Sequence, residues 1–206
     1  MKRVVHERGW RGSAELWLDA AYQVLVESGV DQVKVGVLAE RLGLSRTSFY
    51  WHFADREALL AGLIARWQAQ NTAKLVAQSE APAATVSEAI LNIFDCWVDA
   101  SLFDSRLEFA IRTWALNDAA LEATIAAADA TRIAALAAMF RRFAYAADEA
   151  DIRAHTVYLT QIGYISMRTT EAHGPRMARM RAYALTFTGQ LPTDAEIAAF
   201  LARHPG

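Results

Sequence analysis

For a hundred residues, from 63 to 162, the chain contains no glycine, and its one proline there is Pro82. Folds built from strands need frequent turns, and turns need the residues that make them cheap. A stretch this poor in glycine and proline leaves room for little besides long helices. Alanine supplies 42 of the 206 residues, and the β-branched alternation that marks strands is missing, so the class is all-α. The AVILMFWYC set makes up 54% of the chain and charged residues 21%, enough apolar mass for a core and too much for general disorder. Net charge is −2, from 21 Lys+Arg against 23 Asp+Glu, and neither sign dominates enough to announce a nucleic acid or a membrane. Cys96 is the single cysteine; it excludes an internal disulfide and suits a reducing compartment. The basic opening, MKRVVHERGWRGS, lacks a signal-peptide core, and no run reaches the ~18 uncharged apolar residues of a membrane span. A soluble, cytoplasmic protein is expected.

Apolar spacing and capping residues divide the chain. A first helix is expected over 13–28, with Trp17, Ala21, Val24 and Leu25 on one face and Gly29 in the turn after it. Short segments at 35–42 and 46–52 follow. Asp55 then caps a helix to about residue 78, roughly 36 Å long at 1.5 Å per residue. The boundary between two domains, 11–64 and 65–206, is placed along this helix. Past Pro82, S/T-x-x-E pairs, whose side chains satisfy each other's free backbone N–H groups, open helices at Thr85 with Glu88, Ser105 with Glu108 and Thr193 with Glu196. Asn117 or Asp118 starts a helix to about residue 145. Asp148 starts the next, Gly174 and Pro175 close it, and another spans about 176–188. The sum is about ten helices, three of them small and crowded at the front.

The stretch most informative about function is KVGVLAERLGLSRTSFYWHF at 34–53. Two short helices joined by a tight turn at Gly43 and Leu44 form a helix-turn-helix. Leu38 and Leu42 are four apart and face the first helix, Ala39 is small where the helices cross, and Gly43 permits a turn that a side chain hinders. Ser45 can cap the next segment. With Phe49 inward, Thr47 and Trp51 lie roughly opposite it at about 100° per residue, flanked by Ser48 and Tyr50. A polar and aromatic outer face is unusual for a purely structural helix.

Residues 11–64, above all L-A-E-R-L-G-L-S-R-T-S-F-Y-W-H-F-A-D-R-E-A-L-L at 38–60, resemble the DNA-binding domain of TetR-family transcriptional regulators. The resemblance implies an N-terminal three-helix DNA-binding domain followed by a larger helical ligand-binding and dimerisation domain, with 46–52 as the recognition helix in the major groove of each half-site. It gives base reading to Arg46 and Thr47, because an arginine can make the bidentate contact to guanine. Ser48, Tyr50, Trp51 and His52 would grip phosphate or pack on sugar, and Arg56 would add a phosphate contact beside the start of the long helix. Lys34 would approach the DNA backbone, and Lys2, Arg3, Arg8 and Arg11 would form a basic arm. The chain departs from the pattern at Val35, where many relatives carry a capping Thr or Ser, and at Gly36, where a polar residue is frequent. Residues 1–60 hold 8 Lys+Arg and 8 Asp+Glu, so affinity must come from placement rather than a large field.

The larger domain resembles a TetR-family regulatory domain in helix count, order and length, which identifies no ligand. Its aromatics are core first, yet inward aromatics with polar residues such as Arg112, Asn117, His155 and Gln161 in register are what an apolar effector pocket uses. The expected ligand contacts are Phe94, Trp97, Trp114, Met139, Phe143 and His155. The expected dimer surface is Leu159, Ile162, Gly163, Ser166, Met180, Ala184 and Phe187, on a helix pair that closes a four-helix bundle across a two-fold axis in the family. The implied function is a homodimeric regulator, a repressor released from a palindromic operator by a small, largely apolar molecule, with 55–78 as the lever. A ligand-independent DNA-organising protein on the same fold is the alternative; an enzyme is the other class. No catalytic residue, cofactor or metal is expected: the five histidines lack ligand spacing, and neither a nucleophile elbow, a phosphate loop nor H-E-x-x-H occurs.

Overall fold

The computed structural model describes residues 12–205, so the basic arm of Lys2, Arg3, Arg8 and Arg11 lies outside the described residues. The fold is all-α, with twelve α-helical segments and no strand among the described residues. Segments 56–80 run on without a break and two others are separated by Arg179 alone, which brings the sum to the ten expected. The chain divides into two compact units, 1–66 and 67–206.

The first unit contains α1 (Ala14–Ser28), α2 (Val35–Leu42), α3 (Arg46–Phe49) and most of α4 (Arg56–Trp67). Ser13 starts α1 by accepting the Leu16 N–H at 3.2 Å. Gly29 ends it at φ +82°, a conformation that L side chains rarely adopt. Trp17, Leu38, Phe49, Leu59 and Leu63 are fully buried, with the Trp17 and Phe49 rings edge to face at 5.3 Å. Asp55 caps α4 through the Ala58 N–H at 2.7 Å.

The second unit opens with a π-helical segment, Gln68–Ala73, which passes into α5 (Lys74–Glu80). Then come α6 (Val86–Val98), α7 (Ser105–Ala115), α8 (Ala119–Arg142), α9 (Ala147–Ser166), α10 (His173–Ala178), α11 (Met180–Thr188) and α12 (Asp194–Arg203). Helix α6 is buried along nearly its whole length and packs against α5, α11 and α12, while α8 and α9 pair along their length. By length and composition α8 could cross a membrane. Here Leu121, Ile125, Leu136 and Phe140 are core residues, and the helix also carries the buried Arg132.

Several expected boundaries move. Segment 46–52 is helical only over Arg46–Phe49; beyond it the Trp51 and His52 N–H groups bond three residues back, to Ser48 and Phe49. Helix α7 is capped by Asp104, which accepts from the Arg106 and Leu107 N–H groups, and Ser105 is its first residue. Glu108 therefore closes no box. The N-cap of α9 is Ala146 rather than Asp148, and Gly174 and Pro175 sit inside α10 instead of closing α9. Proline is tolerated there because first-turn N–H groups have no intrahelical partner. At Thr193 the capping box forms in full.

Candidate functional site

The helix-turn-helix is built from α2, a left-handed turn at Gly43 (φ +64°) and α3. Ser45 caps α3 by accepting the Ser48 N–H at 3.2 Å, and the two hydroxyls meet at 2.9 Å. With α3 reduced to one turn, Ser48 lies within the turn at 8% exposure. Ser48 is thus not on the outer face where a longer helix would have put it. Thr47, Tyr50 and Trp51 are exposed, the last two by 60% and 61%. His52 is half-buried with its Nε2 enclosed and without a partner among the described residues, so its ring reaches solvent only in part.

Five basic side chains lie in described residues 12–66, and three of them are engaged. Arg41 forms a two-pronged pair with Glu27 at 2.8 and 2.9 Å. Arg66 binds Asp19 at 2.6 Å. Arg56 donates from Nε to the Val33 carbonyl at 2.6 Å and from Nη2 to that of Val30 at 2.8 Å, which ties down the 3-10 turn Val30–Gln32. Arg56 thus has a structural task through Nε and Nη2. Lys34 and Arg46 are the two cations of these described residues with no hydrogen bond or ion pair. Lys34 is the N-cap of α2, so the cap position is Lys34 and not Val35, and its side chain offers no acceptor. The Arg46 guanidinium lies against Gly36 in the first turn of α2.

This geometry coincides with a family match. Residues 18–63 fit the model of bacterial regulatory proteins of the tetR family. This segment is similar to the DNA-binding part of the tetR family. Tetracycline repressor protein class A from transposon 1721 of Escherichia coli is 44% identical over 52 residues, 25% of this chain and 24% of the repressor. The class D repressor of the same organism is 38% identical over 53 residues. The matched segment therefore spans about a quarter of the length of these curated relatives. The likeness in fold extends much further. Salmonella enterica GusR superposes over 92% of this chain and 95% of its own at a TM-score of 0.62 and 18% identity. The fatty acid degradation regulator FadR from Bacillus halodurans does so over 90% and 98% at 0.65 and 17%.

The second unit holds a small cavity of about 40 Å³ between α6, α9 and the α10–α11 pair. Phe94 and Trp97 line it, as do Met180 and Phe187. Trp114, Met139, Phe143 and His155, the other expected ligand contacts, do not: Met139 is buried in the core, and His155 turns outward, its Nδ1 2.9 Å from the Asp151 carbonyl oxygen. Met180, Ala184 and Phe187 are core residues with at most 7% exposure, which removes them from the outer face of the helix pair. Leu159 is 57% exposed, Ser166 is exposed and Ile162 is partly buried against the core. At Gly163 a Cβ would meet nothing within 4 Å.

The second unit also contains a buried charge network that sequence spacing does not disclose. The Glu108 carboxylate, fully buried, accepts from Trp67 Nε1 at 2.5 Å, Asn71 Nδ2 at 2.9 Å, Arg112 Nε at 2.9 Å and Arg132 Nη1 at 2.9 Å. Asp129 takes both Arg112 terminal nitrogens and the Tyr158 hydroxyl. Asn71 pairs with the backbone of Asp104 in both directions, at 2.9 and 3.0 Å. Arg132 is enclosed by the rings of Trp67, Phe103 and Tyr158, 4.9 to 5.9 Å from its guanidinium carbon. Burial by itself would raise the Glu108 pKa, but the charges of Arg132 and Arg112 and the hydrogen bonds hold it below the usual carboxylate range. Two carboxylates against two guanidinium groups leave the network neutral, which is how ions survive in a dry interior.

Proposed function

We propose that the chain is a DNA-binding transcriptional regulator acting in the cytoplasm as a homodimer, a repressor that leaves a palindromic operator when a small molecule binds its second unit. The observation that carries the DNA reading is the pair of uncommitted cations, Lys34 at the cap of α2 and Arg46 at the start of α3, beside exposed Thr47, Tyr50 and Trp51. Arg46 and Thr47 face the base edges; Lys34 and the two aromatics hold the DNA backbone. The −2 net charge is no obstacle, because the unit keeps its other described cations occupied and presents these two.

An exposed apolar stripe supports the dimer: Ile152 and Leu159 on α9 and Met167 at its C-cap, around the open Gly163, and Leu185 on α11. Their spacing places the α9 members on one helix face, and a self-complementary face closes a two-fold dimer. Two recognition helices then address half-sites about 34–36 Å apart. An effector shifts the equilibrium only by its differential affinity for the two forms, typically about 1–3 kcal/mol.

Selection of bound fragments from genomic DNA tests this directly: a palindromic consensus is expected, with enrichment lost in Arg46→Ala. Recovery of fragments without a shared sequence would remove the operator reading. Leu159→Glu should yield monomers by light scattering, and an unchanged dimer would move the interface elsewhere.

A further inference from the structure

Helix α9 carries an apolar knob at one end of its outer face and a groove at the other. The knob is Met167, the C-cap residue, 80% exposed. Arg168 follows at φ +52°, in the place where a helix end ordinarily takes glycine. The Arg168 N–H bonds the Ile165 carbonyl and the Thr169 N–H the Tyr164 carbonyl, both at 3.0 Å, so the turn is regular, although a left-handed backbone is costly for an arginine. The Arg168 guanidinium carbon lies 5.4 Å from the centre of the Phe109 ring, and the group has no hydrogen bond or ion pair among the described residues.

The groove, of about 380 Å³, lies between α9 and α11 and is lined by Ile152, Thr156, Thr186 and the core residue Phe187, together with Asp148, Glu149 and Arg153. Counting Asp148, Glu149 and Asp151 as −1 each and Arg153 as +1, residues 148–153 sum to −2. Residues 160–168 hold one charge, the +1 of Arg168. At about 100° per residue, Ile152, Thr156, Leu159, Gly163 and Met167 fall within about 80° of one another around the helix. Knob and groove thus share a face, roughly 22 Å apart at 1.5 Å per residue.

A second copy lying parallel would set knob on knob and acidic end on acidic end. Antiparallel pairing about a two-fold axis between Leu159 and Thr160 does the opposite, because positions 152 and 167 are equally distant from that point. It brings Met167 to the partner subunit's Ile152 and Arg168 to the partner subunit's Asp151, opposite charges in contact. It also sets Gly163, where a Cβ would meet nothing within 4 Å, beside the partner subunit's Thr156, so the helices can approach closely. Both knobs are seated at once and no groove is left open, which is what closes a dimer rather than a filament.

We propose that two copies of this chain pair α9 antiparallel in this register, each seating Met167 in the other's groove beside Ile152 and Phe187. The proposal rests on the dimer reading above and gives that dimer its register.

Light scattering of the full-length protein, followed by thiol cross-linking with a short bismaleimide, tests it. Ile152→Cys and Met167→Cys alter exposed side chains, and each alone should give no covalent dimer, since equivalent positions stand roughly 22 Å apart across the axis. Their equimolar mixture should cross-link after subunit exchange, and Leu159→Cys, beside the axis, should cross-link by itself. The unaltered protein, with Cys96 buried, should give no product. Self-linking of Ile152→Cys or Met167→Cys, or no link in the mixture or in Leu159→Cys, overturns the register. Where a cysteine itself splits the dimer, the charge pair decides: Arg168→Glu should raise the dimer dissociation constant about threefold or more, and Asp151→Arg in the same chain should restore it. A constant unmoved by Arg168→Glu, or one not restored, overturns the register. A stable dimer with contrary links leaves the dimer reading standing; a monomer removes both.

Discussion

The guanidinium of Arg46 packs on the backbone of Gly36, and a Cβ built on that glycine would stand 2.9 Å from Arg46 Nη2. The missing side chain is what gives the arginine its place. Gly36→Ala should therefore displace Arg46 and change which bases are preferred, measured by selection from a randomised operator library. The same substitution replaces a helical glycine and should stabilise the protein by about 0.5–1 kcal/mol. A more stable variant with unaltered preference would show that Gly36 does not position the reader.

Lys34→Ala and Arg56→Ala should part company. Lys34 is free, so its loss should reduce the slope of log affinity against log salt by about 0.9. Arg56 holds the Val30 and Val33 carbonyls, so its loss should leave the slope alone and destabilise the fold by about 1–3 kcal/mol in urea denaturation. A reduced slope in Arg56→Ala would return that residue to the DNA contacts.

Removing one member of the buried pair Glu108–Arg132 leaves the other charge uncompensated. Glu108→Gln should cost about 3–5 kcal/mol of unfolding free energy, and Glu108→Gln with Arg132→Met should recover part of it. The sign of the pH effect follows from the lowered Glu108 pKa. A carboxylate depressed in the folded state contributes stability that is present above its unfolded pKa of about 4.3 and lost as pH falls through the folded value. The acid limb of the unmodified protein should thus be steeper than that of Glu108→Gln; equal limbs would place the charge loss elsewhere.

Cys96 is buried on α6, and burial, then the charges of Asp95 and Asp99, push its thiol up to about 12. Reaction requires the thiolate. The folded protein should be inert to Ellman's reagent at pH 8 and react fully in denaturant; rapid reaction of the native form would contradict this burial.

Within a helix, sequence and structure agree because the signals are local. Ser13, Ser45, Asp55, Thr85, Asp118 and Thr193 cap where expected, each bonding an N–H three residues on. Sequence and structure part where a local pattern competes with a distant partner. Ser105 and Glu108 have the spacing of a capping box, yet Asp104 takes the cap and Glu108 turns inward to Trp67, 41 residues away, and Arg132, 24 away. Met180, Ala184 and Phe187 have interface chemistry on a helical wheel, but which side of a helix meets its own core is settled by the neighbours it packs against.

The sequence alone determined the helical class, the order of helices, most caps and the helix-turn-helix with its exposed Tyr50 and Trp51. Periodicity and capping act over one to four residues, and so do the forces behind them. Only tertiary structure decided that Arg56 serves the fold while Lys34 and Arg46 stay free, and that Glu108 and Arg132 bury together beside Tyr158 with Arg112 and Asp129 half-buried around them. Only it placed Phe94, Trp97 and Gln161 around one cavity. Each of these depends on which side chains meet across tens of residues, and burial, which makes an unmet hydrogen bond or charge costly, acts only once the chain has closed on itself.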